Sequence, residues 1–585
     1  MMLAALLLAA QAASASVALG ALADEVWEFR VREDPLLATA VGDHRFDDRL
    51  PSMSKVDLDR RHAYNLAALQ RLTRIDREAL SASERVSRDM LERELRDAVA
   101  EHGFGAWRMP WNADSGFHTG MAHMPAHVRL ATTRDYENYI VRLRATPEYV
   151  RQQIHLLREG LTAGFVLPRA VLPSFDETIR AHVVEDARAS VFYAPFTRFP
   201  AAVAEKDRER LRTAGLAAVR EGPVAAYRAL LDFYLAEYLP GARATTAAAD
   251  LPRGAEYYAW LVKSFTTLEL TPDEVHQIGR AEVARIRAEM DTVMRKTGFT
   301  GDFPAFLTFL RTDPRFYAKT PDELLKQAAW IAKRMDGKLP SLFGRLPRLP
   351  YTVEPVPAHI APKYTAGRYV EPAMDGTRAG IYWVNTHALP SRPLYALEAL
   401  TLHEAVPGHH LQIALQHELE GVPAFRRASG IGAFVEGWAL YAERLGLEAG
   451  FYADPYSDFG RLTYEMWRAC RLVVDTGLHA MGWSRQQAID YLAGNTALSL
   501  HEVTTEIDRY ISWPGQALGY KMGELKIREL RAYAEKELGP RFDLRAFHDA
   551  VLANGPVPLT TLEELIRAHV ATAKTRGLTP SSGAE

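Results

Sequence analysis

The chain has 585 residues, of which 48% are hydrophobic and 24% charged. This is ordinary globular composition, which excludes disordered, collagen-like and fibrous classes. Lys and Arg total 70 against 73 Asp and Glu, so the excess of positive charge that nucleic-acid binding requires is missing, and we expect no nucleic-acid partner. The single cysteine, Cys470, excludes an intrachain disulfide and any cysteine-based metal cluster. Histidines and carboxylates must therefore hold any metal.

Residues 1–23 carry no charged side chain and have the character of a secretory signal peptide. An apolar run at 3–10 is followed by small residues at alternate positions, as in Ala10, Ala12, Ala13 and Ala15. No basic residue precedes the run, and an Ala-rich first helix is the alternative. We expect a periplasmic or secreted protein. No later segment is apolar over about 18 residues, so we expect no stable membrane insertion after signal removal.

The pattern between residues 24 and 338 predicts an N-terminal helical region. Thr271 followed by Pro272 and Glu274 is a helix-start signal, and apolar residues then recur at helical spacing. Prolines interrupt the pattern, and residues 339–393 are predicted to form a Pro-rich boundary with a β-element, in which 380–386 is a strand. A second helical region, carrying the catalytic motif, is predicted for 394–575, and a flexible tail for 576–585.

The most informative segment runs from His403 and Glu404 through Pro407 and Gly408 to His409 and His410. On an undistorted helix, a residue six positions after His403 lies about 120° off its face, and one seven positions after it about 10.5 Å along the axis. Pro407 breaks the hydrogen bonding of that turn, and Gly408 tolerates the resulting backbone. If a bulge absorbs two residues, His409 reaches the position one turn after His403. His410 is then available to substrate, although His410 as the ligand remains the alternative.

A third ligand is predicted at Glu436, which lies among apolar residues in the segment 434–443. A carboxylate in such surroundings must be paired or bind a metal, and a catalytic zinc site needs three protein ligands and one open position. Glu443, seven residues later on the same helical face, is expected to orient a ligating histidine. The alternative for Glu436 is a buried salt bridge with Arg426, Arg427 or Arg444.

The run H-E-x-x-P-G-H-H at 403–410, with F-x-E-G-W-A-L-Y-x-E at 434–443, resembles a widespread bacterial family of unknown function that is placed near the gluzincin zinc peptidases. The similarity extends from about residue 22 to about residue 573 and includes 42–45 and 513–517. The second segment is also similar to thimet-oligopeptidase-type enzymes, in which F-V-E supplies the ligand glutamate. Matching the Gly-His steps of the two motifs puts a two-residue insertion before Gly408, which again selects His409.

The resemblance implies a mainly α-helical, gluzincin-like fold with a small β-element lining a central cleft. It implies Zn2+ as cofactor, held by His403, His409 and Glu436. Glu404 would then be the general base. Gly519 and Tyr520 resemble the Gly-Tyr segments that supply transition-state tyrosines in thimet-oligopeptidase-like enzymes.

Three residues near the end of the chain are therefore expected to act on the substrate. Tyr520 is the first candidate for oxyanion stabilisation and Tyr510 the second. Arg509 is a candidate for gripping a substrate carboxylate, since arginine binds one bidentately. The alternative for all three is an ordinary helix-surface or helix-packing position.

Together these patterns predict a zinc metallopeptidase that hydrolyses short peptides. A metal-dependent amidase for a non-peptide substrate and an inactive peptide-binding relative are the rival hypotheses. The strand at 380–386 is a candidate edge for pairing with an extended peptide, and a hairpin packed on helices explains it equally well. A second histidine group, His118, His123 and His127, is predicted to lie in a loop because Pro125 falls within it. The oligomeric state stays open.

Overall fold

The structure of the protein is a computed structural model that describes residues 2–113, 115–358, 360–361, 364–372, 376 and 378–576. Helices account for 70% of the chain and strands for 4%, so the predicted mainly α-helical class with a small β-element is confirmed. The predicted tail lies, from residue 577 on, outside the described residues. The chain forms two compact units, Met1–Tyr257 with Ile511–Trp513, and Tyr258–Tyr510 with Pro514–Glu585.

The first unit is helical. Its helices are α1 (Met2–Glu33), α2 (Pro35–Ala40), α3 (Lys55–Leu72), α4 (Ala82–Phe104), α5 (Phe117–His127), α6 (Thr133–Arg144), α7 (Thr146–Ala163), α8 (Phe175–Arg180), α9 (Glu205–Val219), α10 (Ala225–Phe233) and α11 (Leu239–Gly241). Helix α12 (Gly254–Thr266) contains the division between the units. Leu19, Leu22 and Val26 are buried, so the second half of α1 is part of the core of this unit.

The loop predicted around the second histidine group is wrong, because α5 spans it. Pro125 lies in the last turn of this helix, where it removes only one backbone N–H donor and the helix is about to end. His118 is buried and its Nε2 lies 3.1 Å from the Thr178 hydroxyl. That bond engages one ring nitrogen within the core, and the other, Nδ1, is buried and makes no hydrogen bond in the described structure.

The second unit holds the motif-bearing helices and the strands. Its helices are α13 (Pro272–Lys296), α14 (Phe303–Thr312), α15 (Pro321–Asp336), α16 (Leu339–Leu342), α17 (Leu397–Glu404), α18 (His409–His417), α19 (Ala424–Ala428), α20 (Gly432–Leu445), α21 (Pro455–Ala480), α22 (Arg485–Asn495), α23 (Leu500–Ser512), α24 (Leu518–Leu538), α25 (Leu544–Leu552) and α26 (Leu559–Arg576). The capping box at Thr271 is present, with Glu274 bonded back to the Thr271 N–H, as the start signal predicted.

Helix α21 is the centre of this unit. Every residue from Phe459 to His479 is buried, which is expected of a helix surrounded by others. It packs against α13, α17, α22 and α24. Gly279 of α13 allows the closest approach, since a Cβ there would lie 2.7 Å from the Leu472 side chain. This rigid core supports the helices that carry the motif.

The sheet has strands β1 (Tyr351–Pro355), β2 (Gly367–Val370) and β3 (Gly380–Val384), in the order β1-β3-β2. The predicted strand is therefore confirmed, although it ends two residues earlier than expected. Strand β3 pairs parallel with β1 and antiparallel with β2. The idea that it is an edge is wrong, because β1 and β2 cover both of its sides. No helix in the described part of the chain is long and apolar enough to cross a bilayer.

Candidate metal centre

The helix that carries His403 and Glu404 ends there, and a new helix begins at His409. The sequence predicted a bulge within one helix, whereas the structure has a full break. Pro407 cannot donate a backbone hydrogen bond, and the chain at Gly408 passes so close to the preceding helix that a Cβ would lie 1.9 Å from the His403 carbonyl oxygen. Glycine is therefore required at position 408 for the break to form.

A residue that the sequence argument missed stabilises this turn. The indole N–H of Trp438, on α20, donates to the carbonyl of Pro407 at 2.8 Å. Trp438 is completely buried, so this bond links α20 firmly to the break between α17 and α18. The sequence did contain a signal for this bond. Trp438 lies two residues after Glu436 in an apolar segment, and a buried indole N–H needs an acceptor.

Three side chains from α17, α18 and α20 converge at this break. Nε2 of His403 and Nε2 of His409 each lie 3.5 Å from Oε2 of Glu436. All three donor atoms lie within 4.8 Å of one another, which makes this a group able to hold a metal ion. The ion pairs of Glu436 run to these two histidines, and to none of the arginines considered as alternatives, within the described residues.

The spacing of these atoms fits a zinc ion. A tetrahedral site with metal–ligand bonds of about 2.0–2.2 Å places neighbouring donor atoms roughly 3.4 Å apart, close to the 3.5 Å found here. Oε2 of Glu436 is buried and makes no hydrogen bond in the described structure. Two imidazoles and one carboxylate are also a common donor set of catalytic zinc sites with an open fourth position.

The tautomer of His403 is set by Glu443, whose Oε1 accepts a hydrogen bond from Nδ1 of His403 at 2.8 Å. This leaves Nε2 directed at the ligand group. Nη2 of Arg468 lies 3.4 Å from the same carboxylate oxygen. Glu443 is thus placed where the sequence predicted it, against a histidine of the ligand group.

The charges around His403 and Glu436 favour their ionised forms. Burial lowers the pKa of His403, but its contact with the Glu436 carboxylate and its hydrogen bond with Glu443 outweigh this and raise the pKa to about 10. Burial raises the pKa of Glu436, but the two histidines reverse this and hold the pKa well below its ordinary value. Without a metal, the group is therefore held together as an ion pair.

Glu404 is oriented by the sheet. The N–H of Tyr369 in β2 donates to Oε2 of Glu404 at 2.8 Å. In an antiparallel pair, only alternate residues direct their backbone N–H and C=O groups at the partner strand. Ala366 does so, because its carbonyl accepts from the Asn385 N–H. Tyr369, three residues later, therefore directs its N–H to the other, unpaired side of β2. One carboxylate oxygen is thereby fixed, and Glu404 is only 8% exposed.

His410 points away from the ligand group. Its Nε2 donates to the Leu349 carbonyl at 3.1 Å, and its Nδ1 accepts from the Tyr369 hydroxyl at 2.9 Å. Burial lowers its pKa to about 4, so the ring is neutral. Both ring nitrogens are engaged by the protein, which leaves neither for a metal or a substrate; instead His410 links α18 to the strand that orients Glu404.

The other predicted site residues lie around Arg471 rather than in the ligand group. The Tyr510 hydroxyl accepts from Nε of Arg471 and Nε1 of Trp467 and donates to Glu506, at 2.8–2.9 Å. Nη2 of Arg509 donates to Gln516. These contacts are those of packing residues, the alternative considered from the sequence.

Tyr520 differs from Tyr510 in its hydrogen bonding. The Arg471 guanidinium lies over the Tyr520 ring at 4.1 Å, and the hydroxyl makes no hydrogen bond within the described residues. The side chain is 7% exposed.

Two solved structures resemble this chain. A putative lipoprotein from Colwellia psychrerythraea has a TM-score of 0.89 and 29% identity, covering 95% of this chain and 99% of that chain. A putative lipoprotein of unknown function from Shewanella oneidensis has a TM-score of 0.70 and 20% identity, covering 93% and 99%, which shows a shared fold. No curated protein matches. The sequence pattern of one family matches residues 35–566, and the chain belongs to that family, the bacterial proteins of unknown function called DUF885.

Proposed function

We propose that the protein is a zinc-dependent peptidase of gluzincin type. The observation that carries the proposal is the convergence of His403, His409 and Glu436 from separate helices, with all donor atoms within 4.8 Å and Glu404 next to His403 in the chain. A zinc ion bound there lowers the pKa of its water to about 7 and polarises a carbonyl. These are the requirements for hydrolysis of an amide bond.

Three side chains are assigned the other roles in the proposed reaction. Glu404, with Oε2 held by the Tyr369 N–H, takes the proton from the attacking water on its other oxygen and returns it to the leaving amine. Glu443 accepts from Nδ1 of His403, so Nε2 is the nitrogen that would give up its proton and bind the metal. Tyr520, whose hydroxyl has no partner in the described structure, is our candidate donor to the oxyanion.

Assays of peptide hydrolysis test the proposal directly. We expect the purified, zinc-loaded protein to cleave peptides from a mixed-sequence library, and a chelator to abolish cleavage until zinc is restored. Glu404→Gln keeps the size of the side chain but removes the base, so kcat should fall at least 1,000-fold. This corresponds to a rise in activation free energy of about 4 kcal/mol or more. Zinc content should stay unchanged. Activity that survives both treatments would contradict the proposal.

The rival hypotheses make different predictions in the same experiments. A metal-dependent amidase would bind zinc and need Glu404 but cleave a modified amino acid or cell-wall fragment instead of the library. An inactive peptide-binding relative would bind peptides without cleaving them. The library and zinc analysis together separate the three.

We also propose that the protein is exported. The support is the uncharged, small-residue segment 1–23 and the similarity to two structures that are named putative lipoproteins. Because Leu19 and Leu22 are buried in the first unit, we expect cleavage after Ala12 or Ala15 rather than after residue 23. The intact mass of the protein from a periplasmic extract tests this; a full-length mass in the cytoplasm would contradict it.

A further inference from the structure

A small cavity lies along α17, one helical turn before His403. Its volume is about 30 Å³, and its wall includes Leu400, Ala366, Thr463, Arg392 and Glu502. A water occupies roughly 10–15 Å³ of such a cavity, so there is room for two or three groups of that size. An ammonium fits, whereas a guanidinium or an aromatic ring does not.

The cavity wall carries three side chains, those of Glu502, Thr463 and Tyr464, whose polar atoms make no hydrogen bond within the described residues. The Glu502 carboxylate has neither a hydrogen bond nor an ion pair within the described residues. The Thr463 hydroxyl is buried and likewise makes no hydrogen bond there. Unpaired buried polar groups are costly, so their presence in a cavity wall indicates a missing ligand. A carboxylate and a hydroxyl are both acceptors, which an ammonium with three donors satisfies.

The positive groups near the cavity are already engaged. Arg392 donates to the carbonyls of Tyr364 and His387 and lies beyond ion-pair distance of Glu502. Arg468 and Arg471 pair with Glu443 and Glu506 respectively. The donors of Arg392 are thus taken up by carbonyls, whereas the Glu502 carboxylate and the Thr463 hydroxyl keep free acceptor sites, which favours a ligand that donates hydrogen bonds.

The position of the cavity connects it to the candidate catalytic residues. Leu400 and His403 are three residues apart in α17 and hence on one face. Ala366 lies three residues before Tyr369, whose N–H holds Glu404, which corresponds to roughly 10 Å along an extended strand. A lysine side chain beside the scissile bond, or an amino terminus roughly two or three residues from it, spans that distance.

We propose that this cavity binds a primary ammonium group of the substrate, through Glu502 and Thr463. The group is either the amino terminus of a peptide or the side chain of a lysine. The inference rests on the proposed function in taking the ligand to be a peptide, and it adds the class of peptide that is selected.

The test compares matched peptides in the wild-type protein. We expect acetylation of the bound ammonium to lower kcat/KM at least tenfold, and replacement of lysine by arginine to do the same if lysine is the source. Acetylating the amino terminus and the lysine in separate peptides distinguishes the two sources. Insensitivity to both acetylations, or a preference for acidic peptides, would overturn the inference.

Variants assign the effect to the cavity. Glu502→Gln should reduce the tenfold discrimination to about twofold, and Thr463→Val should weaken it, whereas the exposed control Glu420→Gln should keep it. Retention of full discrimination by a folded Glu502→Gln variant would overturn the inference. If that variant does not fold, the wild-type acetylation series still decides the matter.

The discrimination should also depend on pH. Burial raises the pKa of Glu502 to about 7, against the opposing effect of Arg392, with Glu506 raising it further and Arg468 and Arg471 lowering it. The ionised carboxylate binds the ammonium, so the preference should grow between pH 6 and pH 8. The same profile should be absent in Glu502→Gln; an identical profile there would count against the assignment.

Calorimetry with the Glu404→Gln variant separates this inference from the proposed reaction. Tight binding of the free-ammonium peptide and weak binding of its acetylated form supports the inference even if no peptide is ever cleaved. Cleavage without any such difference supports the peptidase and overturns the ammonium site. Absence of both cleavage and binding overturns the two together.

Discussion

At the residue scale, Glu443 is the least obvious member of the candidate metal centre. It lies seven residues beyond Glu436 and bonds to Nδ1 of His403 at 2.8 Å while Arg468 approaches the same oxygen at 3.4 Å. An arginine beside this carboxylate holds it in place. The histidine therefore has one orientation before any metal binds, with Nε2 directed at the ligand group.

Removing this carboxylate should weaken metal binding without removing a ligand. We expect Glu443→Ala to lower zinc affinity about 10- to 100-fold, the usual effect of losing a group that orients a ligating histidine. Competition with a chromophoric chelator measures it. The control is Glu448→Ala, which removes a surface partner of Arg531 and should leave affinity unchanged. Equal affinities in the two variants would show that Glu443 does not orient His403.

At the scale of elements, the close crossing of α20 and α24 fixes the position of the helix that carries Glu436. A Cβ on Gly437 would lie 2.5 Å from the backbone of Gly523, and one on Gly523 would lie 1.8 Å from the Ala433 carbonyl oxygen. Only glycine permits this approach at both positions. The two glycines are therefore packing residues for the helix that carries the third ligand.

A methyl group at this crossing should separate the helices. We expect Gly437→Ala to lower the free energy of unfolding by about 1–3 kcal/mol and to weaken zinc binding, because Glu436 is the preceding residue. Urea unfolding and chelator competition measure the two effects. The matched control is Gly494→Ala in α22, where a Cβ meets nothing within 4 Å and the better helix former should be neutral or stabilising. Similar losses in both variants would contradict this role for the crossing.

At the scale of the whole molecule, a metal bound at the candidate centre would link α17, α18 and α20. Without it, these helices are joined by packing, by the ion pairs of Glu436 and by individual hydrogen bonds such as that from Trp438 to Pro407. A zinc ion that binds the folded chain, as proposed, should stabilise that state by mass action. Cys470 reports on this equilibrium. It is the single cysteine and is completely buried in α21, so a thiol reagent reaches it when the core opens.

Zinc should therefore slow the labelling of Cys470 in urea. With free zinc about 1,000-fold above the dissociation constant, the stabilisation is about 4 kcal/mol, and a chelator should remove it. In Glu436→Gln, which lacks one ligand, zinc should have little effect, while Mg2+ should be inert in both proteins. Labelling that is equally fast with zinc and with chelator would contradict metal binding at this site.

Several features followed from the sequence because their causes are local. The disruption of the helix at Pro407 and Gly408, predicted as a bulge and found as a full break, the strand at 380–384 and the capping box at Thr271 each depend on the conformational limits of a few neighbouring residues. The spacing from Glu436 to Glu443 likewise placed both on one helical face. The apolar surroundings of Glu436 predicted it as the third ligand, but the 26 residues between His409 and Glu436 leave the path of the chain open, so their proximity was decided by the tertiary structure.

The amino-acid sequence determined the helical class, the candidate ligands and the absence of disulfides, since composition and short-range spacing are enough for these. The tertiary structure alone decided that β3 is central, that His410 faces the sheet, that Tyr510 is fully bonded in the core, and that Glu502 and Thr463 share a cavity. Those facts depend on contacts between residues far apart in the chain. Which partners meet there is set by the packing of the whole unit, and no local pattern encodes it.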